Sequence, residues 1–201
     1  MSTDKDKIIA GCLNLFFKYG IKSISVADIS HHLRISKKTF YQFFKNKDDV
    51  IEVIAKDFIN QNLLANSVIM EDNSDVIEKI LKIYKRLLEQ FYTCNPRFIY
   101  DIKKYHADIY ELFEEFREKE LNYLIRDLLK QGKKDKIFRA DIDEEIICKL
   151  HINRINSIIN GTLLPEKNIT DPELFNAIII SLIGISTIKG HKLIERKINE
   201  I

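Results

Sequence analysis

The side chains with the clearest chemical capacity lie within one short segment near the N-terminus. Its polar members combine ammonium, hydroxyl and amide groups: Lys37, Lys38, Thr39, Tyr41, Gln42 and Lys45. Ammonium and hydroxyl groups donate hydrogen bonds to phosphate oxygens, and a glutamine amide can pair with adenine in the major groove of DNA. Three phenylalanines, Phe40, Phe43 and Phe44, are spaced i, i+3, i+4 among them and are expected to face the core together. The segment therefore has the composition of a DNA-reading helix with an apolar inner face.

The distribution of charge is consistent with a phosphate-facing surface at this end of the chain. The whole sequence has a formal net charge of only +2, but residues 1–50 contain nine Lys/Arg against five Asp/Glu. No acidic residue lies between Asp28 and Asp48, where five basic residues occur. A basic segment without acids suits a polyanionic partner. The charge alone is explained equally well by a solvated basic helix face.

Two further helices are expected ahead of this segment. Apolar residues recur at helical spacing from Lys5 to Tyr19, and Gly20 can take the left-handed conformation that ends a helix. Ser25 and Asp28 then match a capping box, so a second helix is expected to start at Ser25.

The second helix is expected to end near Arg34, and Ser36 is the N-cap of a third helix over Lys37–Phe44. Three short helices with a tight turn before the last are the layout of a helix-turn-helix unit.

The sequence of this unit closely resembles the tetracycline-repressor (TetR) family. The similarity covers residues from about 5 to 55, and its most specific element is the pattern Thr-aromatic-Tyr-x-aromatic-Phe-x-x-Lys, which begins at Thr39 and ends at Lys47. The resemblance implies that Thr39 and Tyr41 contact phosphate, and that Lys37 and Lys38 lie where bases are read. It also implies that Ser25 and Lys47 start helices beside the DNA backbone.

Two positions depart from the family pattern. Arg34 lies in the turn where the family often has glycine, so a strained backbone is expected there. Lys38 replaces the glycine that many members have before the threonine. It adds a cation on the DNA side, which we expect to alter specificity rather than abolish binding.

Beyond residue 47 the apolar spacing is helical almost throughout. The expected helical segments lie near residues 47–66, 75–93, 97–104, 107–131, 143–160, 171–188 and 190–199. Six glycines and three prolines are few for 201 residues, which favours long helices with short connections. The sequence predicts an all-α fold, with an N-terminal three-helix helix-turn-helix DNA-binding domain (1–47) and a C-terminal helical effector-binding and dimerisation domain (48–201).

An apolar helix near the C-terminus is a candidate dimer interface. Small residues in the uncharged run 174–188 let two helices approach closely, and with the segment before Gly161 they could build a four-helix bundle across a two-fold axis. The alternative is that both helices are core of a single chain. The resemblance favours a homodimer, because two helix-turn-helix units, one from each copy, match the two half-sites of an operator. The expected dimerisation residues are Ile147, Leu150, Ile155, Ile158, Ala177, Ser181, Gly184 and Ile185.

Aromatic residues crowd the middle of the chain. Residues 91–123 contain nine of the twenty aromatics. TetR-like regulators bind a small ligand in this part of the body, and apolar walls with a few polar groups suit such a pocket. The alternative is ordinary core packing. The candidate effector-binding residues are Tyr92, Phe98, Tyr100, His106, Phe113, Phe116 and Arg154.

No motif points to an enzyme, a cofactor or a metal site. The histidines lack metal-ligand spacing, and we find neither a Gly-rich phosphate loop nor a nucleophile–base order. Cys12, Cys94 and Cys148 are scattered among apolar neighbours and are expected to be buried free thiols. The N-terminus lacks the apolar stretch of a signal peptide, and the longest uncharged run is too short to span a membrane. We expect a cytoplasmic protein.

These observations favour a homodimeric transcriptional regulator, expected to be a repressor, that binds double-stranded operator DNA and is released by a small-molecule effector of unknown identity. Residues 47–65 would connect the N-terminal helix-turn-helix domain to the C-terminal helical domain. The alternative is a DNA-binding accessory protein without a ligand, in which all aromatics are core.

Overall fold

The computed structural model describes residues 4–93, 96–159 and 171–199, and this part of the chain is helical almost throughout. The helices are α1 (Asp4–Tyr19), α2 (Val26–Leu33), α3 (Lys37–Phe43), α4 (Lys47–Glu71), α5 (Val76–Thr93), α6 (Pro96–Tyr105), α7 (Ala107–Phe116), α8 (Asn122–Lys134), α9 (Glu144–Ile159), α10 (Asp171–Ile185) and α11 (Ile188–Asn199). A π-helical turn, Arg117–Leu121, joins α7 to α8. The predicted all-α fold is confirmed. Within the described residues, the extended pairing is limited to one isolated bridge between Phe138 and Ser186.

The chain divides into two compact units, each formed from two segments. The first comprises Met1–Leu64 and Tyr92–Glu115, and the second comprises Ala65–Phe91 and Phe116–Ile201. The first unit thus contains α6 and α7 as well as the three N-terminal helices and most of α4. The functional division of the chain after residue 47 stays a prediction.

The first unit has its own apolar core around α1. Ile8, Cys12 and Phe16 form the buried face of α1, against which α2 and α6 pack. Ile102 of α6 and Ile109 of α7 belong to the same core. Since α6 packs directly on α1, the helix-turn-helix and α6 share one hydrophobic interior.

The second unit has a separate core built from its remaining helices. Buried aliphatic residues of α5, α8, α9, α10 and α11 meet there, and the π-helical turn packs against both α8 and α9. Cys148 lies in this core and Cys12 in the other, and both are free and buried as expected. Burial raises the pKa of the Cys12 thiol to about 12. Cys94 lies outside the described residues.

Candidate nucleic-acid interface

Helix α2 begins at the capping box that the sequence predicts. Ser25 Oγ accepts a hydrogen bond from the Asp28 N–H at 3.2 Å, and Asp28 Oδ2 accepts one from the Ser25 N–H at 2.8 Å. The Ser25 hydroxyl also donates to Asp28 Oδ2 at 2.6 Å, and these bonds hold the Asp28 pKa below its usual value. The hydroxyl proton of Ser25 is therefore used within the cap. A contact from Ser25 to phosphate stays a prediction.

The turn between α2 and α3 has the strained backbone expected at Arg34. This residue has φ 54° and ψ 39°, the left-handed conformation that an L-residue with a Cβ seldom adopts. The Ile35 N–H donates to Ser30 O at 3.0 Å, which closes the turn. Ser36 then caps α3, because its Oγ accepts from the Thr39 N–H at 3.0 Å. The Thr39 hydroxyl lies 2.8 Å from the same oxygen.

Helix α3 presents its polar side chains to solvent. Tyr41 is 53% exposed, and its ring packs edge-on against the buried Phe40 at 5.5 Å between centroids. Phe44 is also buried, but the expectation for Phe43 is wrong, since Phe43 is 39% exposed. Phe43 lies at the margin of the stripe centred on Phe40 and is the last residue of the helix. The other exposed polar side chains are Lys37, Lys38, Gln42 and Lys45, and Thr39 is half-buried.

The positive charges of this surface have no counter-charge among the residues that the structure describes. Within the part of the chain that the structure describes, the ammonium groups of Lys37, Lys38 and Lys45 and the guanidinium of Arg34 make no hydrogen bond or ion pair. Exposed cations that are not paired within the protein remain available to phosphate oxygens.

Lys47 opens α4 as predicted, but its side chain turns onto the protein. Its Nζ donates to the carbonyl oxygens of Ile21 and Ile24 at 2.8 and 2.9 Å. Burial lowers the pKa of Lys47, and the charges of Asp48 and Asp101 counter this in part. The structure therefore assigns the Lys47 ammonium group to the turn before α2 and not to an open surface.

Asp101 of α6 holds the same turn from another element. Its buried carboxylate accepts a hydrogen bond from the Lys22 N–H at 2.8 Å. Gly20, with φ +83°, ends α1 in the left-handed conformation that the sequence predicts. A Cβ at Gly20 would lie 3.0 Å from Asp101 Oδ2, so this close approach also favours glycine. Asp101 was not a candidate, because nothing in its local sequence identifies a partner 79 residues away.

The predicted effector residues are divided between the two units. Phe98 packs against Phe17 at 4.8 Å between ring centroids, and Phe113 packs against Phe58 at 5.6 Å, both in the first unit. Both rings border that unit's core, which favours the packing interpretation for them.

Two other candidates in the first unit have polar partners. Tyr100 is 54% exposed and its hydroxyl accepts from Lys104 Nζ at 2.7 Å, while His106 Nδ1 lies 3.7 Å from Asp48 Oδ1. Phe116 and Arg154 belong to the second unit, and the Tyr92 side chain lies outside the described residues.

The predicted dimerisation residues fall into buried and accessible sets. Ile155, Ile158 and Ile185 are buried in this chain's own core, and a contact of these residues with a partner stays a prediction. Leu150 is 55% exposed and Gly184 is exposed, whereas three residues are half-buried: Ile147, Ala177 and Ser181. The exposed apolar side chains that the prediction missed are Ile146, Ile180 and Ile188. Helical period alone did not separate the inner face from the outer one, because α10 is apolar on nearly every side.

Two other kinds of site are absent from residues 4–93, 96–159 and 171–199. No helix there is long and apolar enough to cross a membrane. The same residues contain no group of three or more His, Cys, Asp or Glu side chains suited to a metal ion.

Comparison with known proteins identifies the family of the N-terminal helix-turn-helix segment. Residues 8–54 match the family model of bacterial regulatory proteins of the TetR family. The chain is 25% identical over 174 residues to the uncharacterized HTH-type transcriptional regulator YvaF of Bacillus subtilis (strain 168), which covers 86% of this chain and 90% of that protein. It is 24% identical over 148 residues to the HTH-type transcriptional repressor KstR2 of Mycolicibacterium smegmatis, which covers 72% of each.

The fold is shared with solved regulators. A TetR-family transcriptional regulator from Marinobacter aquaeolei VT8 superposes with a TM-score of 0.78 at 18% identity, covering 98% of both chains. The capped α2, the left-handed turn at Arg34 and the exposed basic face of α3 lie within the matched segment. On this evidence residues 8–54 are a DNA-binding domain of the TetR family of bacterial transcriptional regulators, and the chain as a whole shares the fold of such regulators.

Proposed function

We propose that the protein is a homodimeric repressor that binds operator DNA in the cytoplasm and is released by a small-molecule effector. One observation carries the proposal: the outer face of α3 combines unpaired cations with hydroxyl and amide groups on a helix that is anchored by Phe40 and Phe44. The M. smegmatis relative is named a repressor, which supports repression rather than activation by this protein.

The individual residues of α3 suit different parts of a DNA duplex. The Tyr41 hydroxyl suits a phosphate oxygen, and Thr39 suits a second phosphate beside the helix start. Lys37, Lys38 and Gln42 are long enough to reach base edges in the major groove. Lys45, after the helix, adds a cation for the backbone. The half-buried Lys47 positions the head and is left out of the proposed contacts.

The proposed dimer uses the exposed apolar face of α9 and α10. Ile146, Leu150 and Ile180 are 56%, 55% and 70% exposed in the single chain. Gly184 lies on the same helix as Ile180, and a Cβ built on it would meet no atom within 4 Å, which leaves room for a second helix. Covering these side chains with a second copy removes apolar surface from water, and it pairs two heads for two half-sites.

The proposed release depends on how the turn before α2 is held. Lys47 of α4 and Asp101 of α6 both bond this turn, so a shift of either helix changes the setting of α2 and α3. An effector that binds more tightly to a conformation in which the two helix-turn-helix units no longer fit the half-sites lowers operator affinity. The loss of operator binding free energy equals the coupling free energy between the effector site and the DNA site.

Fluorescence anisotropy on labelled DNA from upstream of the protein's own gene tests the proposal. We expect tight binding to that DNA and weak binding to a scrambled duplex. Tyr41→Phe should weaken specific binding by about two- to tenfold, because one hydrogen bond to phosphate is lost. Tyr123→Phe, at an exposed tyrosine of α8, is the matched control. Equal affinity for both duplexes would contradict a specific operator function at this site.

A further inference from the structure

Arg154 of α9, in the second unit, has a guanidinium that is partly buried. The residue is half-buried, and its Nη1 atom is buried without a hydrogen-bond acceptor. Within the described residues its guanidinium makes no ion pair with any carboxylate. A partly buried cation without a counter-charge costs folding free energy, since the protein does not replace the hydration lost at its buried nitrogen. Such a residue needs a function that offsets this cost.

The polar groups beside Arg154 are neutral and cannot supply the missing charge. Tyr84 of α5 and His151 of α9 are buried and hydrogen-bonded to one another through the tyrosine hydroxyl and Nδ1. Burial, and then the charge of Arg154, lower the His151 pKa to about 4, so the imidazole is neutral at pH 7. Burial likewise raises the pKa of Tyr84, which stays protonated and can donate to Nδ1. The pair is therefore a neutral, polar neighbour.

The same helix, α9, carries aliphatic side chains of the core and packs against one adjoining turn. Ile152, Ile155 and Ile158 of α9 belong to the core of the unit. The π-helical turn packs against α9, and Arg117 in this turn donates Nε to Asn156 Oδ1 at 3.4 Å. Short π-helical turns within helices are frequent at functional sites. The environment thus combines the Arg154 guanidinium with neutral polar groups, aliphatic groups and a second guanidinium, that of Arg117, in the adjoining turn.

We propose that Arg154 binds the carboxylate of an amphipathic organic acid whose apolar body lies among the aliphatic side chains of the second unit. This inference rests on the proposed function, because the acid is the effector of that mechanism. A carboxylate matches the planar donor pair of a guanidinium and neutralises one charge with one charge. A neutral or cationic ligand would leave the guanidinium uncompensated.

The proposal has a consequence for the ligand-free protein. Arg154→Met keeps an unbranched side chain as far as the position of Nε and removes the partly buried charge, so it should raise the melting temperature without ligand. Arg139→Met removes the same charge from an exposed arginine that pairs with Asp141 at 2.7 Å, and it is the matched control. If Arg154 serves to bind a ligand, its presence should lower the stability of the ligand-free protein while it supports ligand binding.

The experiment measures thermal stabilisation and calorimetric binding of defined probes by the full chain, without DNA. The probes are straight-chain carboxylates from butanoate to hexadecanoate with cyclohexanecarboxylate and benzoate, each compared with the primary alcohol and the amine of the same skeleton. We expect at least one carboxylate to bind while its alcohol and amine do not. Arg154→Met should weaken that carboxylate by about ten- to a hundredfold, the loss of charged hydrogen bonds, and Arg139→Met should leave it unchanged.

Three results would overturn the inference. They are failure of every carboxylate to bind, equal binding of the matched alcohol, and full carboxylate affinity in Arg154→Met. Circular dichroism establishes that the variant is folded, and Arg154→Lys, which keeps the charge but loses the planar donor pair, should fall between wild type and Arg154→Met. The proposed function is tested separately, because operator binding that persists without any carboxylate effect rejects only this inference. A carboxylate that binds a chain with no operator affinity rejects only the regulator.

Discussion

Lys22 and Asp101, 79 residues apart, are joined by a hydrogen bond of 2.8 Å between the Lys22 N–H and the buried Asp101 carboxylate. The Lys47 ammonium group bonds two carbonyls of the same turn, so the entry to α2 is held from α4 and from α6. Helix α3, the proposed DNA-reading helix, follows α2 after one short turn. The orientation of the reading helix therefore depends on two helices outside the helix-turn-helix.

Asp101→Ala should destabilise the first unit and weaken operator binding. The substitution leaves the Lys22 N–H without its acceptor and removes a negative charge that offsets the partly buried Lys47, which together should cost about 2–3 kcal/mol. Urea unfolding gives the stability and anisotropy the affinity. Asp108→Ala, at an exposed aspartate of α7, should change neither. Wild-type stability in Asp101→Ala would mean that the bond across the turn contributes nothing.

The stability of the second unit should fall with acidification through His151. The pKa of this histidine is about 4 in the folded protein and 6.5 in an unfolded chain, so the unfolded state binds more protons between these values. The contribution of the neutral His151 to the free energy of unfolding is fully present above pH 6.5 and is lost as the pH falls to about 4. In all it is on the order of 3 kcal/mol. Above pH 7 the group should contribute no pH dependence.

His151→Gln isolates this effect from the carboxylates that titrate in the same range. Its free energy of unfolding should depend less steeply on pH between 4 and 6.5 than that of the wild type, whatever its stability at pH 7. His191→Gln, at an exposed histidine of α11, should keep the wild-type slope. Equal slopes for all three proteins would show that His151 is not held neutral by burial.

The proposed dimer predicts that a charge on the exposed face of α10 yields monomers. Ile180→Glu would place a carboxylate within the buried interface, where its desolvation outweighs the apolar contacts, and so would Leu150→Glu on α9. Val68→Glu, at a similarly exposed valine of α4, should leave the mass unchanged. Sedimentation equilibrium measures the outcome. Dimers that survive both interface substitutions would place the contact elsewhere.

The local features of the head could be predicted from sequence, because each depends on residues within a few positions. The capping box at Ser25, the N-cap at Ser36 and the left-handed Arg34 are all of this kind. Phe43 was wrongly predicted to face the core, because the i, i+3, i+4 spacing identifies the apolar stripe of a helix but not where the edges of that stripe become exposed. Sequence spacing correctly marks α3 as amphipathic and cannot say how deep each flank is buried.

The long-range features could not be predicted from one sequence. The partners of Asp101 and His151 are 79 and 67 residues away, so no local pattern pairs them. Lys47 was expected beside DNA from its place at the start of α4, but the fold brings two carbonyls within its reach. Arg154 was one effector-binding candidate among aromatics, and only its buried Nη1 atom beside Tyr84 and His151 distinguishes it from a surface arginine.

The salt dependence of operator binding tests most directly whether the exposed face of α3 contacts DNA. Anisotropy across a salt series gives the slope of log affinity against log salt for the wild type and for Lys37→Ala/Lys38→Ala. If both lysines meet phosphates the slope should shrink by about two, and if they read bases the loss should instead concentrate on the specific duplex. Lys85→Ala/Lys130→Ala, at exposed lysines of α5 and α8, should leave the slope and the affinity unchanged. An unchanged slope and affinity in Lys37→Ala/Lys38→Ala would contradict the assignment of this surface to DNA.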